Sequence, residues 1–153
     1  MAHLSPHLAF PGTCREALSF YQSCIGGELK LIRVGDSGMA DHMPAEAQDQ
    51  IMHGTLTAGP LVLMACDALD TRRPFVAGTN IAMCLNCSSD EEINTLFARL
   101  SEGGTVIDPL DEMFWGGKFG TLIDRFGTEW MFNFSPLPID GSSIAAPEVL
   151  CAK

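Results

Sequence analysis

The chain has 153 residues, 46% of them hydrophobic, enough for one domain with a sizeable core or for two half-domains sharing one. Asp and Glu number 19 against 9 Lys and Arg, a formal net charge of -10, and such a surface repels phosphate backbones and anionic membranes, so neither nucleic acid nor a membrane is an expected partner. The amino terminus MAHLSPHLAF has no basic region ahead of a long apolar run, and no later segment offers the ~20 consecutive apolar residues of a spanning helix, so a cytoplasmic protein is expected.

His7 to Phe10 alternates like a half-buried strand, which Pro11-Gly12 stops. Thr13 and Glu16 have the spacing of a capping box, and Ala17, Leu18, Tyr21, Cys24 and Ile25 form a stripe at helical spacing that Gly26-Gly27 ends. Glu28 to Val34 reads as a strand, and 35–49 as a loop with a short helical turn near Pro44 to Gln48. Ile51 to Thr57 and Leu61 to Cys66 read as strands joined through Ala58-Gly59-Pro60 into an antiparallel hairpin. Residues 67–78 link this half to the next. There the order recurs: a strand over 79–86, a capping box Ser89 to Glu92, a helix over 90–101 with Ile93, Leu96, Phe97 and Leu100 inward, and Gly103-Gly104 as its stop. Strands follow near 105–109, 117–123 and 129–134.

A shift of 77 residues puts Phe20 on Phe97, Gly26 on Gly103 and Gly27 on Gly104, so the chain carries an internal repeat. Each half is βαβββ. A helix on one face of a small sheet leaves the other face free to curve, which predicts an α+β domain of two βαβββ modules whose mixed sheets surround a shared cavity. The modules are expected at about 4–66 and 79–134 within a single domain 1–134, followed by a carboxy-terminal tail 135–153. Ile144, Val149 and Leu150 in that tail suit contact with a partner subunit, and a homodimer is expected. The chain's 6 cysteines fall largely at apolar positions and read as reduced thiols. Cys84 and Cys87 spell CxxC, yet lack the second pair or the nearby histidines of a zinc site.

The segments EALSFYQSCIGGEL (16–29), IMHGTL (51–56), LVLMACD (61–67) and GTVIDPLDEMFWGGKFGTLIDRFGTEWMFN (104–133) resemble the vicinal oxygen chelate superfamily of glyoxalases, bleomycin-resistance proteins and extradiol dioxygenases, and most closely its PhnB-like branch. With the intervening strands the likeness covers most of 4–134, and the FWGGKFG and DRFGTEW blocks are its most specific part. Members of this branch often carry a demethylubiquinone methyltransferase name. The sequence offers that chemistry no support: no Gly-rich strand-to-helix loop with an acidic residue at the next strand end is present for a nucleoside cofactor.

The resemblance implies a trough lined by His7, His53, Asn80, Trp115, Glu129 and Met131 that binds or transforms a small oxygen-rich or amphipathic molecule. In superfamily enzymes a divalent metal there polarises vicinal oxygens, held by His, Gln or Glu from the first and last strands of each module. His7 matches the ligand-bearing position of the first strand. Its counterpart in the second module is Asn80 by local pattern, or Cys84 by counting back from Gly103. The acidic ligand is expected four residues beyond the glycine of a DxxG turn. Asp124 to Gly127 supplies that turn, and Met131 stands at the ligand position, a thioether that a hard cation gains little from. Glu129 shares that strand face, two residues closer to the turn. The cofactor therefore stays unassigned: a divalent metal would suit the trough, but its usual ligand set is incomplete.

His53 is a further imidazole that could ligate or pack. Trp115 beside Gly116-Gly117 would form either an aromatic wall or a packed hairpin tip. Glu129 and Glu112 are the candidate acid–base groups of an enzyme. The competing class is a non-enzymatic protein that sequesters an antibiotic or toxin, needing shape and aromatic walls but no metal. No GxSxG, P-loop or HExxH motif points elsewhere.

Overall fold

In the computed structural model, which describes residues 4–70, 72, 74–114 and 116–136, the elements run β1 (His7–Phe10), α1 (Cys14–Ile25), β2 (Glu28–Arg33), β3 (Ile51–Ala58), β4 (Leu61–Asp67), β5 (Met83–Cys87), α2 (Asp90–Leu100), β6 (Thr105–Glu112), β7 (Lys118–Ile123) and β8 (Glu129–Phe134). They form two four-stranded sheets of identical order, β1-β4-β3-β2 and β5-β8-β7-β6. In each, the first and last strands of the module pair parallel and the other neighbours antiparallel. The sheets are mixed and separate, an α+β fold that does not close into a barrel.

Glycine explains why the repeat survives where it does. Gly26 and Gly103 end their helices at φ 84° and 73°, a conformation open to glycine without penalty. The second glycine of each pair answers to space instead: a Cβ on Gly27 would strike the Thr57 carbonyl and lie 2.8 Å from Ala58 Cβ, and one on Gly104 would strike the Ile123 carbonyl and lie 2.9 Å from Asp124 Cα. The chain leaving each helix thus crosses tightly over the end of its module's third strand. A shared Gly-Thr-Leu, at 54–56 and 120–122, marks equivalent places on β3 and β7, where a Cβ would meet Leu18 of α1 or Phe97 of α2.

The two helices lie on the inner faces of their own sheets and touch each other, and a single core spans both modules. Its largest members include Tyr21 of α1 with Trp130 and Phe132 of β8. Tyr21 and Trp130 meet edge to face at 5.3 Å. The Tyr21 hydroxyl donates to Asp124 Oδ2 at 2.7 Å, and Trp130 Nε1 donates to the same oxygen at 2.8 Å. Asp124 Oδ1 accepts from the Phe126 and Thr128 amides in its own turn at 2.8 and 3.0 Å. This buried carboxylate therefore fastens the first helix to the last hairpin.

Three expectations need correction. Thr13 makes no capping bond; the free Cys14 amide is taken by Asp67 Oδ1 at 2.9 Å, while Asp67 Oδ2 accepts from Ile51 N at 2.7 Å. A carboxylate delivered from the end of β4 replaces the local hydroxyl. The Ser89 cap does form, its Oγ accepting from Glu92 N at 3.1 Å. The fifth strand begins at Met83 rather than 79, because its ladder with β8 starts at the pair Met83 and Trp130. Finally, β6 runs to Glu112, past Pro109, by shifting register on both sides of Asp108. A proline that cannot donate is tolerated on such an edge strand.

Candidate functional site

Alternation along each strand sends Leu8, Phe10, Leu56, Leu63 and Ala65 to the helix-covered core and their neighbours to the opposite, open face. On the first sheet the register aligns His7, Met64, Thr55 and Lys30 in one row across that face. The equivalent row of the second sheet is Cys84, Met131, Thr121 and Asp108. His7 and Cys84 therefore occupy matching positions, as do Met64 and Met131. Asn80 precedes β5 and belongs to neither row.

Where β1 passes the start of β8, the modules leave a cleft of about 340 Å3 lined by His7, Asn80 and Glu129. Its other walls are apolar: Phe10 and Phe126, and Phe75, Val76 and Ile81 from the segment that links the modules. Phe75, Val76 and Ile81 remain 42%, 79% and 74% exposed. The volume sits at the lower end of the ~300–1,000 Å3 usual for small-molecule sites. A larger recess of about 670 Å3 opens on the far side of Pro6, walled by Leu4, Val62, Cys84 and Trp130, without a charged side chain among the described residues. The cleft is the better candidate because polar groups from three separate segments meet there against apolar walls.

His53, on β3, faces the same side of the first sheet as His7, and the two rings lie 6.2 Å apart at an interplanar angle of 29°. Strands two apart in a sheet are separated by roughly 9.6 Å, so the rings lean toward one another across β4. His53 Nε2 shares a 3.1 Å hydrogen bond with Thr55 Oγ1, which orients the ring.

The metal site implied by the superfamily fits these residues poorly. The matching first and last strands carry His7, Met64, Cys84 and Met131, one imidazole among three sulfur groups, where a hard dication needs oxygen or nitrogen. Among the described residues no three His, Cys, Asp or Glu side chains converge.

Glu129 is half-buried and Met131 pairs with Cys84 and Thr121 on the open face, outside the cleft lining. Glu112 lies exposed on the outer strand β6 and is not brought to the cleft. Its cross-strand partner Lys118 turns to Asp90 instead, at 2.6 Å. Trp115 lies outside the described residues, and Phe119, on β7, is buried. Sequence reasoning missed Phe75 and Val76, which it assigned to a plain connection, and Ile81, which it assigned to the fifth strand. The adjacent apolar pair Phe75-Val76 in a polar linker was the available signal.

The family described as 3-demethylubiquinone-9 3-methyltransferase matches residues 2–132. The crystal structure of protein PA1353 from Pseudomonas aeruginosa is 39% identical with a TM-score of 0.79, covering 88% of this chain and 98% of that one. A Bacillus cereus PhnB protein, titled a putative 3-demethylubiquinone-9 3-methyltransferase, is 25% identical with a TM-score of 0.69, over 88% and 100% of the two chains. A glyoxalase/bleomycin resistance protein/dioxygenase family enzyme from Burkholderia phytofirmans shares the fold at 16% identity and a TM-score of 0.59, over 87% and 98%.

Proposed function

Since the chain belongs to the 3-demethylubiquinone-9 3-methyltransferase family and has the glyoxalase-like fold of its PhnB-like members, we propose that it binds a small amphipathic molecule in the cleft between its two modules. The observation that carries this reading is the meeting of His7, Asn80 and Glu129 from β1, the linker and β8 in one cavity with apolar walls. Methyl transfer is not part of the proposal. Each sheet has a single parallel pair at its edge, so neither offers the crevice at the carboxyl ends of parallel strands that holds a nucleoside cofactor.

The test is a thermal-shift screen of small molecules against the wild type, with hits repeated on His7→Ala and Glu129→Ala. The cleft reading expects both substitutions to weaken the hits at least tenfold. Hits indifferent to both would place binding elsewhere.

A second reading, metal-assisted transformation with His7 as a ligand and Glu129 as acid–base partner, is favoured by the convergence of His7 with His53. Elemental analysis under mild purification decides it: stoichiometric metal that disappears in His7→Ala supports it, and its absence in the wild type leaves the binding protein. A homodimer belongs to the proposal as well. The open face of the first sheet leaves Ile32 and Val62 47% and 38% exposed, apolar surface that a second copy would cover. Light scattering on the purified chain measures this, a monomer at micromolar concentration counting against it. We also place the protein in the cytoplasm, as one domain over 1–134 with a tail of which 137–153 fall outside the described residues.

A further inference from the structure

Resting on the cleft as the binding site, we propose that its ligand is an organic cation: a protonated amine or quaternary ammonium on a compact aromatic or branched apolar body.

Among the described residues the lining of the cleft contains one charged side chain, Glu129, when histidine is counted as neutral. Among the described residues no Lys or Arg lines it. The cation nearest in sequence, Arg125, is committed elsewhere: its Nε donates to the Glu102 carbonyl at 2.8 Å, and its guanidinium lies 4.2 Å over the Phe20 ring. An anionic ligand entering the cleft would lose water and meet a carboxylate with no compensating charge, an arrangement that binding does not favour. A cation meets the reverse.

Among the described residues the Glu129 carboxylate makes no hydrogen bond or ion pair, and neither does the Asn80 side chain, although both residues line one cavity with His7. Glu129 is half-buried. A half-buried carboxylate without a protein partner has its charge free for a ligand, and the Asn80 amide oxygen supplies a second acceptor for an N–H donor. Phe75 and Phe126 are among the walls, and aromatic rings attract a cation through their quadrupole. The net charge of -10 reinforces the selection at longer range.

Three probes of one shape separate the charge from the fit: 2-phenylethylammonium, neutral 2-phenylethanol and anionic 3-phenylpropionate. Each is titrated into the full-length protein at low ionic strength, with amide chemical shifts locating the site and giving the dissociation constant. The proposal expects the ammonium to perturb cleft residues and to bind at least tenfold more tightly than the carboxylate. Glu129→Gln should abolish that preference, Glu129→Lys should invert it, and Glu112→Gln, on the outer strand, should leave it intact. Raising the salt should narrow the gap. The cation claim is overturned, with the cleft still standing as a binding site, if phenylpropionate binds as well as the ammonium or if Glu129→Gln keeps the preference. If none of the three perturbs the cleft at millimolar concentration, the result counts against the cleft itself as well as the cation.

Discussion

Replacing Asp124 with alanine should do more damage than any other single polar substitution in the chain. Asp124 is 4% exposed, and its two oxygens accept from the Tyr21 hydroxyl, Trp130 Nε1 and the amides of Phe126 and Thr128. A hydrogen bond to a charged acceptor contributes about 1.5–3 kcal/mol, and a buried donor left without its acceptor costs about 1–3 kcal/mol. The four donors share one acceptor group and so act as a network, whose losses do not add. Tyr21 also retains a second partner, Thr128 Oγ1, at 3.0 Å. Asp124→Ala should therefore cost about 4 kcal/mol, at the upper end for a point substitution, while Tyr21→Phe, which leaves three of the four bonds, should cost about 1–1.5 kcal/mol. For a chain of this size the first loss lowers the melting temperature by roughly 8–16 °C. Urea unfolding, followed both by far-ultraviolet circular dichroism and by tryptophan fluorescence, measures each change. The double substitution should be less harmful than the sum by about 1 kcal/mol, since Tyr21 and Asp124 are in contact. A loss below about 1 kcal/mol for Asp124→Ala would refute the idea that this carboxylate joins the modules.

High pH offers an independent check on the same contact. Burial first, and the adjacent Asp124 carboxylate second, push the Tyr21 phenol well above its ordinary range, while burial and then Asp67 push the Cys14 thiol up to about 12. Each group keeps its proton in the folded chain when the unfolded chain has lost it, so stability should hold below about pH 8.5 and fall as pH rises through the ordinary thiol and phenol ranges. Tyr21 is the single tyrosine, so absorbance at 295 nm should show phenolate only as the protein unfolds; a reversible folded-state titration near pH 10 would contradict its burial. At the amino end of α1, Asp67→Ala should cost about 2–4 kcal/mol, with two backbone amides losing their acceptor, and Thr13→Ala under about 0.5 kcal/mol, because no capping bond is lost; urea midpoints of equal size would reverse the assignment of the cap. Gly120→Ala would set a Cβ 2.9 Å from Phe97 and 3.0 Å from Leu110, an overpacking worth about 1–3 kcal/mol. Calorimetry showing no change there would mean that α2 sits less tightly on its sheet than the structure has it.

Most of the fold could be read from the residues because its signals are local. Period-two runs, helical stripes and paired glycines each act within a few positions, and they recur 77 residues apart in the glycine-ended helices. The equivalence of the two Gly-Thr-Leu segments was also present but is displaced by 66 residues, since the modules differ in the length between helix and third strand. The site was legible only in part. His7, Asn80 and Glu129 could each be nominated from pattern or resemblance, but nothing in their spacing says that they share a cavity or that Glu112 stands apart from it.

By itself, then, the sequence determined two βαβββ modules and an acidic chain, since turn chemistry, periodicity and net charge depend on neighbours or on sums. Tertiary structure alone decided that Cys84 rather than Asn80 matches His7, that Asp67 caps the first helix, and that the linker walls the cleft. Those outcomes follow from contacts between distant segments: β1 beside β4, β5 beside β8, and the Cys14 amide against Asp67 across 53 positions of chain. Packing between distant segments is set by shape and by the shared burial of whole faces, and no window of adjacent residues contains it.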